Sequence, residues 1–318
     1  MSGDRDRREP PAPKPYTLID LPHGAPVERR SPIGHDALRQ DLLAGWIDLE
    51  LEALTPVHVA TGLLKLVDGS DGTLARALVR VGGTPVIPGS SLKGCIRAIV
   101  EAISASCVRV TRSRDLPSAL APCSDKDQLC LACRIFGAMD FQGLVRFGDL
   151  RLAQGDVAVA EVPQLFQPRP REGPYVRERF VRGRKFYMHG AEQARGDGPI
   201  EVCVAGSRFR GRIHVINMSA AQLGLLLTAL GLHPSYPLRP KLGGAKPACY
   251  GSIAARVLAL DLAAPQARYL DWDAPTQPSV AVEELIAAAA ALVLPPQAAA
   301  LAETLRWPNE RTCPSGNY

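Results

Sequence analysis

The chain contains no run of about eighteen or more apolar residues, so a membrane-spanning helix is not expected. Its first residues, Met1-Ser2-Gly3-Asp4-Arg5-Asp6-Arg7-Arg8, lack the apolar segment of a secretory signal, and a cytosolic protein is the expectation. The spacing G-x-x-x-x-G-K-[ST] is missing too. Gly89 and Gly94 are followed by Cys95 rather than Lys-Ser, which excludes a nucleotide P-loop there. No G-x-G-x-x-G follows a strand pattern, and no Ser-His-Asp or Cys-His arrangement stands out. His58 and His189 stand alone, the usual setting of a structural histidine, and His35-Asp36 reads as a surface pair. No unit of about 20 to 50 residues repeats.

Charge is present but unevenly spread. The whole chain of 318 residues carries a formal +5. Between Leu165 and Gly190 stand Arg169, Arg171, Arg177, Arg179, Arg182, Arg184 and Lys185 against Glu172 and Glu178, which accounts for all of that excess. A basic segment on a neutral body suits a polyanion track. Phe166, Tyr175, Phe180, Phe186 and Tyr187 interleave with these cations. Cations neutralise phosphates and rings stack unpaired bases, so the segment reads as an RNA contact. The alternative is an amphipathic hairpin whose rings enter the core.

The stretch Val86-Ile87-Pro88-Gly89-Ser90-Ser91-Leu92-Lys93-Gly94-Cys95-Ile96-Arg97 turns from a strand pattern into a helix pattern. Backbone N–H groups and two hydroxyls at a helix start favour an anion. Lys93 supplies a point charge and Arg97 a planar fork, which together read as a phosphate cradle with Ser90 and Ser91. A plain structural cap by Ser91 is the alternative.

Cys107, Cys123, Cys130 and Cys133 cluster among the eight cysteines. Cys130-x-x-Cys133 is a chelating knuckle, and the other two can complete a four-thiolate zinc site with no open position for a catalytic water. A set of reduced core or loop thiols is the alternative, and if Cys107 faces the core of the first helix, a water or another residue must replace it as the fourth ligand. Cys95, Cys203 and Cys249 are expected as ordinary buried thiols, because metal ligation or reduced thiols suit a cytosolic chain better than disulfides. Lys241-Leu242-Gly243-Gly244-Ala245-Lys246 through Tyr250-Gly251 pairs permissive glycines with two lysines. It reads equally as an RNA-facing loop or a linker.

Three of these stretches, in order, resemble the RAMP superfamily of CRISPR effector proteins, most closely the backbone-type subunits of type III systems. They are Ile87-Pro88-Gly89-Ser90-Ser91-Leu92-Lys93-Gly94 with Ile96-Arg97, Leu129-Cys130-Leu131-Ala132-Cys133-Arg134-Ile135-Phe136-Gly137, and the glycine loop Gly243–Gly251. The resemblance covers roughly residues 45 to 260. It implies an RNA-binding subunit that holds crRNA, meets target RNA, and packs against other effector subunits or copies of itself. It implies a zinc-stapled insertion beside the RNA-facing side and makes the basic segment the candidate for a protruding thumb. Some relatives cut target RNA with an aspartate ahead of the Pro-Gly-Ser-Ser element. Leu74-Ala75 hold none here, which leaves Asp68 or Asp71 as carboxylates for a divalent ion such as Mg²⁺, or as solvated turn residues. A metal-dependent RNA endonuclease and a stand-alone zinc-containing RNA-binding protein are therefore the competing functions.

Periodicity predicts strands at 46–59, 75–81, 144–153, 208–218 and 253–260, with helices at 91–104 and 219–230. Residues 60–74 read as a long loop. The order of elements suggests an α+β fold, a ferredoxin-like antiparallel sheet with helices on one face. The resemblance implies the same RRM-like core, with insertions. The predicted organisation is an irregular leader at 1–43 and a core at 44–262, which contains a zinc insertion (105–140) and the thumb (160–190). A C-terminal helical hairpin and loose tail follow at 263–318, the hairpin broken by Pro295-Pro296.

Overall fold

Ile47, Leu49 and Leu51 alternate with Trp46 and Asp48 along the chain, and that alternation builds the central strand of the molecule. The computed structural model describes residues 15–22, 26–67, 72–109, 116–165, 176–177, 180–263 and 281–314. The first half holds β1 (Tyr16–Asp20), β2 (Leu43–Ala53), β3 (Ala60–Leu66), β4 (Leu74–Leu78), β5 (Arg80–Val81), β6 (Thr84–Ile87) and α1 (Gly89–Ile103). After α2 (Leu131–Phe136) come β7 (Gly137–Ala138), β8 (Phe141–Gln142), β9 (Val145–Phe147), β10 (Leu150–Gln154) and β11 (Val157–Val162). The second half holds β12 (Val176–Arg177), β13 (Phe180–Val181), β14 (Gly183–Tyr187), β15 (Gly198–Cys203), β16 (Arg208–Met218), α3 (Ala220–Ala229) and β17 (Ile253–Ala263). Helices α4 (Val282–Ala288) and α5 (Pro295–Thr304) close the chain.

The main sheet runs β17-β2-β16, then β9 and β10 along the far side of β16, then β6 and β5, and all its pairings are antiparallel. Taken as β2, β9/β10, β16 and β17, its core strands stand in the order fourth, first, third, second, with α1 after the first and α3 after the third. One face packs on the helices. Leu92, Ile96, Ile99, Val100 and Ile103 of α1 join Ile47, Leu49, Leu51, Phe209 and Ile213 of the sheet in one buried cluster. The contact between α3 and α4 is close enough that a Cβ on Gly224 would collide with the Leu285 carbonyl.

The other face is polar and held by ion pairs. Glu50, almost fully buried, accepts from Arg210 and Arg256 at 2.8 and 2.7 Å, and Asp48 pairs with Arg212. These bonds keep Glu50 below the usual carboxylate range, the Arg210 hydrogen bond contributing most. A smaller sheet, β11-β15-β4-β3, stands beside the first. Its hub is Glu201, which takes Arg80, Lys65 and the Leu78 N–H.

Several expectations change in the structure. The leader is not wholly irregular: β1 pairs with β14 from Tyr16↔Tyr187 to Asp20↔Gly183. The predicted loop after Val59 contains β3, a hairpin partner of β4. The single strand predicted at 144–153 is split into β9 and β10. Two helices flank the break at Pro295-Pro296, and the prolines open α5, because a proline at a first turn removes an N–H that has no partner anyway. The tail is tied down as far as residue 314. Trp307 packs edge-on against His189, and Cys313 forms a disulfide with Cys249, which corrects the reading of Cys249 as a free buried thiol. Among the described residues no helix is long and apolar enough to cross a membrane.

Candidate nucleic-acid groove and thiolate cluster

The start of α1 is not an open anion site. Gly89 N–H donates to Asp149 Oδ1 at 2.8 Å, and the Ser91 and Leu92 N–H groups turn back to the Pro88 carbonyl. The protein's own carboxylate thus occupies the position read as a phosphate seat, at the positive end of the helix. Asp149 reaches it because the strand after β9 breaks at Gly148-Asp149, and the chain there passes tight against Gly89.

The basic and glycine-rich motifs instead meet one turn further along the helix. A groove of about 450 Å³ is lined by Ser91, Gly94, Cys95 and Ala98 of α1, Lys185–Tyr187 of β14, and the loop residues Lys241–Gly244 and Lys246. Stretches separated by roughly ninety and sixty residues in the chain share one wall. Lys185 Nζ stands 4.1 Å from the Tyr16 ring centroid and 4.5 Å from that of Tyr187. Ser90 is exposed on the helix start and does not line the groove.

The loop is rigid. Gly244 N–H donates to the His58 carbonyl at 2.7 Å and Leu242 N–H to Gly251 at 2.8 Å. Gly243 has φ +84°, and a side chain there would strike the His58 carbonyl. Ala245 and Cys249 are left-handed without being glycine, a cost that persists only where surroundings over-determine the backbone. The loop buries one cation and half-buries a second. Lys241, 8 % exposed, donates to the Met188 carbonyl at 3.1 Å, and Lys246 donates to the Gly243 carbonyl. Neither has a carboxylate within salt-bridge distance among the described residues. Burial, and then the neighbouring Lys246, pull Lys241 down to about 7, and burial lowers Lys246 as well.

The four cysteines come together on the other side of α1. The Sγ atoms of Cys107, Cys123, Cys130 and Cys133 all lie within 4.8 Å of one another, with Cys107 to Cys133 at 3.6 Å. A tetrahedral zinc with Zn–S near 2.3 Å needs sulfurs about 3.8 Å apart, so the set fits such an ion. Donors already face the sulfurs: Cys107 N–H to Cys130 at 3.4 Å, Cys130 N–H to Cys123 at 3.3 Å, and Arg97 Nη2 to Cys133 at 3.2 Å. Arg134 Nε is buried beside them with no hydrogen-bond partner. Sharing of protons within the cluster pulls Cys130 down, chiefly through Cys107, and pushes Cys107 up, chiefly through Cys130. Four sulfurs placed this way could hold a metal ion.

The remaining sequence candidates are dispersed. Arg97 is bound to Glu101, Gly137 and Cys133 and does not line the groove. Lys93 sits half-buried within electrostatic range of Arg97 and Arg109, not in the groove wall. Arg184 is paired with buried Glu101, and Arg182 is exposed at 3.9 Å from Asp20. Arg177 lies on the β12–β13 hairpin, while Arg179, Asp68 and Asp71 lie outside the described residues. His58 and His189 are structural: His58 Nδ1 bonds the Glu201 carbonyl at 2.6 Å, and His189 bonds Ser252 and Arg239. Asp149 and Glu101 escaped the reading of the sequence. Glu101, four residues after Arg97, was legible as an intrahelical ion pair, whereas nothing local marked Asp149.

A comparison with the curated proteins found no match. The model of the RAMP superfamily matches residues 50–232, more than half of the chain and inclusive of α1, the thiolate cluster and β14, and the protein therefore belongs to the RAMP superfamily.

Proposed function

We propose that this protein is an RNA-binding subunit of a type III CRISPR effector, holding crRNA along the groove and presenting it to target RNA. Other effector subunits, including copies of itself, are its protein partners. The order of the core strands supports a ferredoxin-like, RRM-like core, and the fit of four sulfurs supports structural zinc as the ion they hold. The hairpin that carries Arg177 supports the thumb assignment for Arg177, Arg179 and Arg182.

One observation carries the reading. Lys241 is buried and Lys246 half-buried against a groove, both bonded to backbone carbonyls, with no acid to pair them among the described residues. A buried ammonium without a counter-charge is costly, and a polyanion running past supplies that charge. Ser91, Lys185 and the ring of Tyr187 line the same wall. The groove therefore suits a sugar-phosphate chain with an occasional stacked base.

Co-expression with a repeat-containing RNA tests this. The full-length protein is expected to retain nuclease-protected repeat RNA through purification, and a Lys241→Met/Lys246→Ala variant is expected to lose it. Purified parent protein free of repeat RNA would sink the CRISPR reading.

A further inference from the structure

Arg97 makes three directed bonds, and none of them faces the groove. Its Nε meets Glu101 at 2.7 Å, its Nη1 the Gly137 carbonyl at 2.8 Å and its Nη2 the Cys133 sulfur at 3.2 Å. We infer that Arg97 is a positioning residue for the thiolate centre: it compensates the net negative charge that the thiolates of Cys107, Cys123, Cys130 and Cys133 would carry around a divalent metal, and fixes the orientation of Cys133. This inference rests on the metal reading above.

Charge balance supports it. Arg97 and Arg184 both bind the one buried carboxylate, Glu101, which also accepts the Arg109 N–H at 3.4 Å. Arg109 shares the Gly137 carbonyl with Arg97, Lys93 stands within electrostatic range of both, and Arg134 Nε is buried without a hydrogen-bond partner among the described residues. Among the described residues these cations gather around one buried carboxylate, Glu101, while Glu28, within electrostatic range of Arg134, is exposed and already paired with Arg30, so positive charge is in excess in a partly buried site. Four thiolates on a divalent ion carry a net charge of about −2, which supplies the missing negative charge. A neutral cluster of thiols does not.

The geometry is specific to a guanidinium. A planar fork can reach a carboxylate, a carbonyl and a sulfur at once, whereas an ammonium on a flexible stem cannot hold all three in place. Arg97 sits on the same helix as the groove residues Ser91, Gly94 and Ala98. The thiolate cluster and the groove are thereby fastened to different faces of one element.

The test is metal binding by the full-length chain, with Co²⁺ as a spectroscopic probe and Zn²⁺ affinity from chelator competition. The parent is expected to show the thiolate-to-cobalt charge-transfer band of a tetrathiolate site. Arg97→Met is expected to shift that band and weaken Zn²⁺ binding by about 10- to 100-fold. Arg97→Lys, which keeps the charge but not the fork, is expected to recover part of the affinity and serves alone if Arg97→Met does not fold. Lys246→Ala, across the helix, is expected to leave both readouts unchanged. A parent that takes up no Co²⁺ overturns the metal reading and this inference with it. A parent that binds while both Arg97 variants match it within about twofold overturns the role of Arg97 alone.

Discussion

Asp149 Oδ1 accepts the hydrogen bond of the Gly89 N–H at 2.8 Å, across sixty residues of chain. The positive end of α1 is therefore satisfied from within, and the proposed RNA groove lies further along the helix. Replacing Asp149 with Ala is expected to destabilise the fold by about 1 kcal/mol, as loss of a helix cap does. RNA affinity is expected not to fall. Urea denaturation and filter binding on the same variant check both halves.

Lys241 gives the groove a pH signature. Held near 7 in the free protein, it is neutral above that pH while the unfolded chain keeps its proton to the ordinary lysine range. The folded state therefore gains stability as pH rises from about 7 towards 10.5. A phosphate in the groove favours the charged form, so RNA binding above pH 7 takes up a proton. Affinity is expected to fall as pH rises from 7 to 8.5, by at most about tenfold per pH unit. Lys241→Met is expected to flatten that profile, as binding isotherms at a series of pH values will show.

The disulfide between Cys249 and Cys313 closes a loop of 64 residues and ties the C-terminal segment to the glycine loop. Chain entropy sets its contribution at about 4 kcal/mol, and engineered cases deliver less. Cys313→Ser is expected to lower the urea midpoint of the oxidised protein by an amount equivalent to about 2–4 kcal/mol. The reduced parent and the variant are expected to unfold together.

The legible parts of the fold were those with a local cause. Ile213 and Val215 against Arg210, Arg212 and His214 announced β16, and the Ser219–Gln222 capping box announced α3, which the structure reproduces with both reciprocal hydrogen bonds. The thiolate cluster was legible because chelating spacing is a property of the chain itself. Strand β3 was not, since all of its residues are exposed and no buried face imposes alternation. At the site, residue types identified the basic and glycine-rich walls, but not their directions. Arg97 turns towards the sulfurs because Glu101, Gly137 and Cys133 lie there, and that arrangement depends on contacts between distant segments. The motif places Lys93 and Arg97 on a helix. It does not say which neighbour each will meet.

The central claim is that RNA runs along the wall formed by Ser91–Ala98, Lys185–Tyr187 and Lys241–Lys246. Photo-crosslinking of thiouridine-substituted repeat RNA to the full-length protein, with the linked peptides read by mass spectrometry, tests it most directly. The account predicts crosslinks concentrated in these three segments and lost when Lys241 and Lys246 are replaced. Crosslinks confined to the polar face of the sheet around Arg210 and Arg212, with the three segments unlabelled, would contradict it.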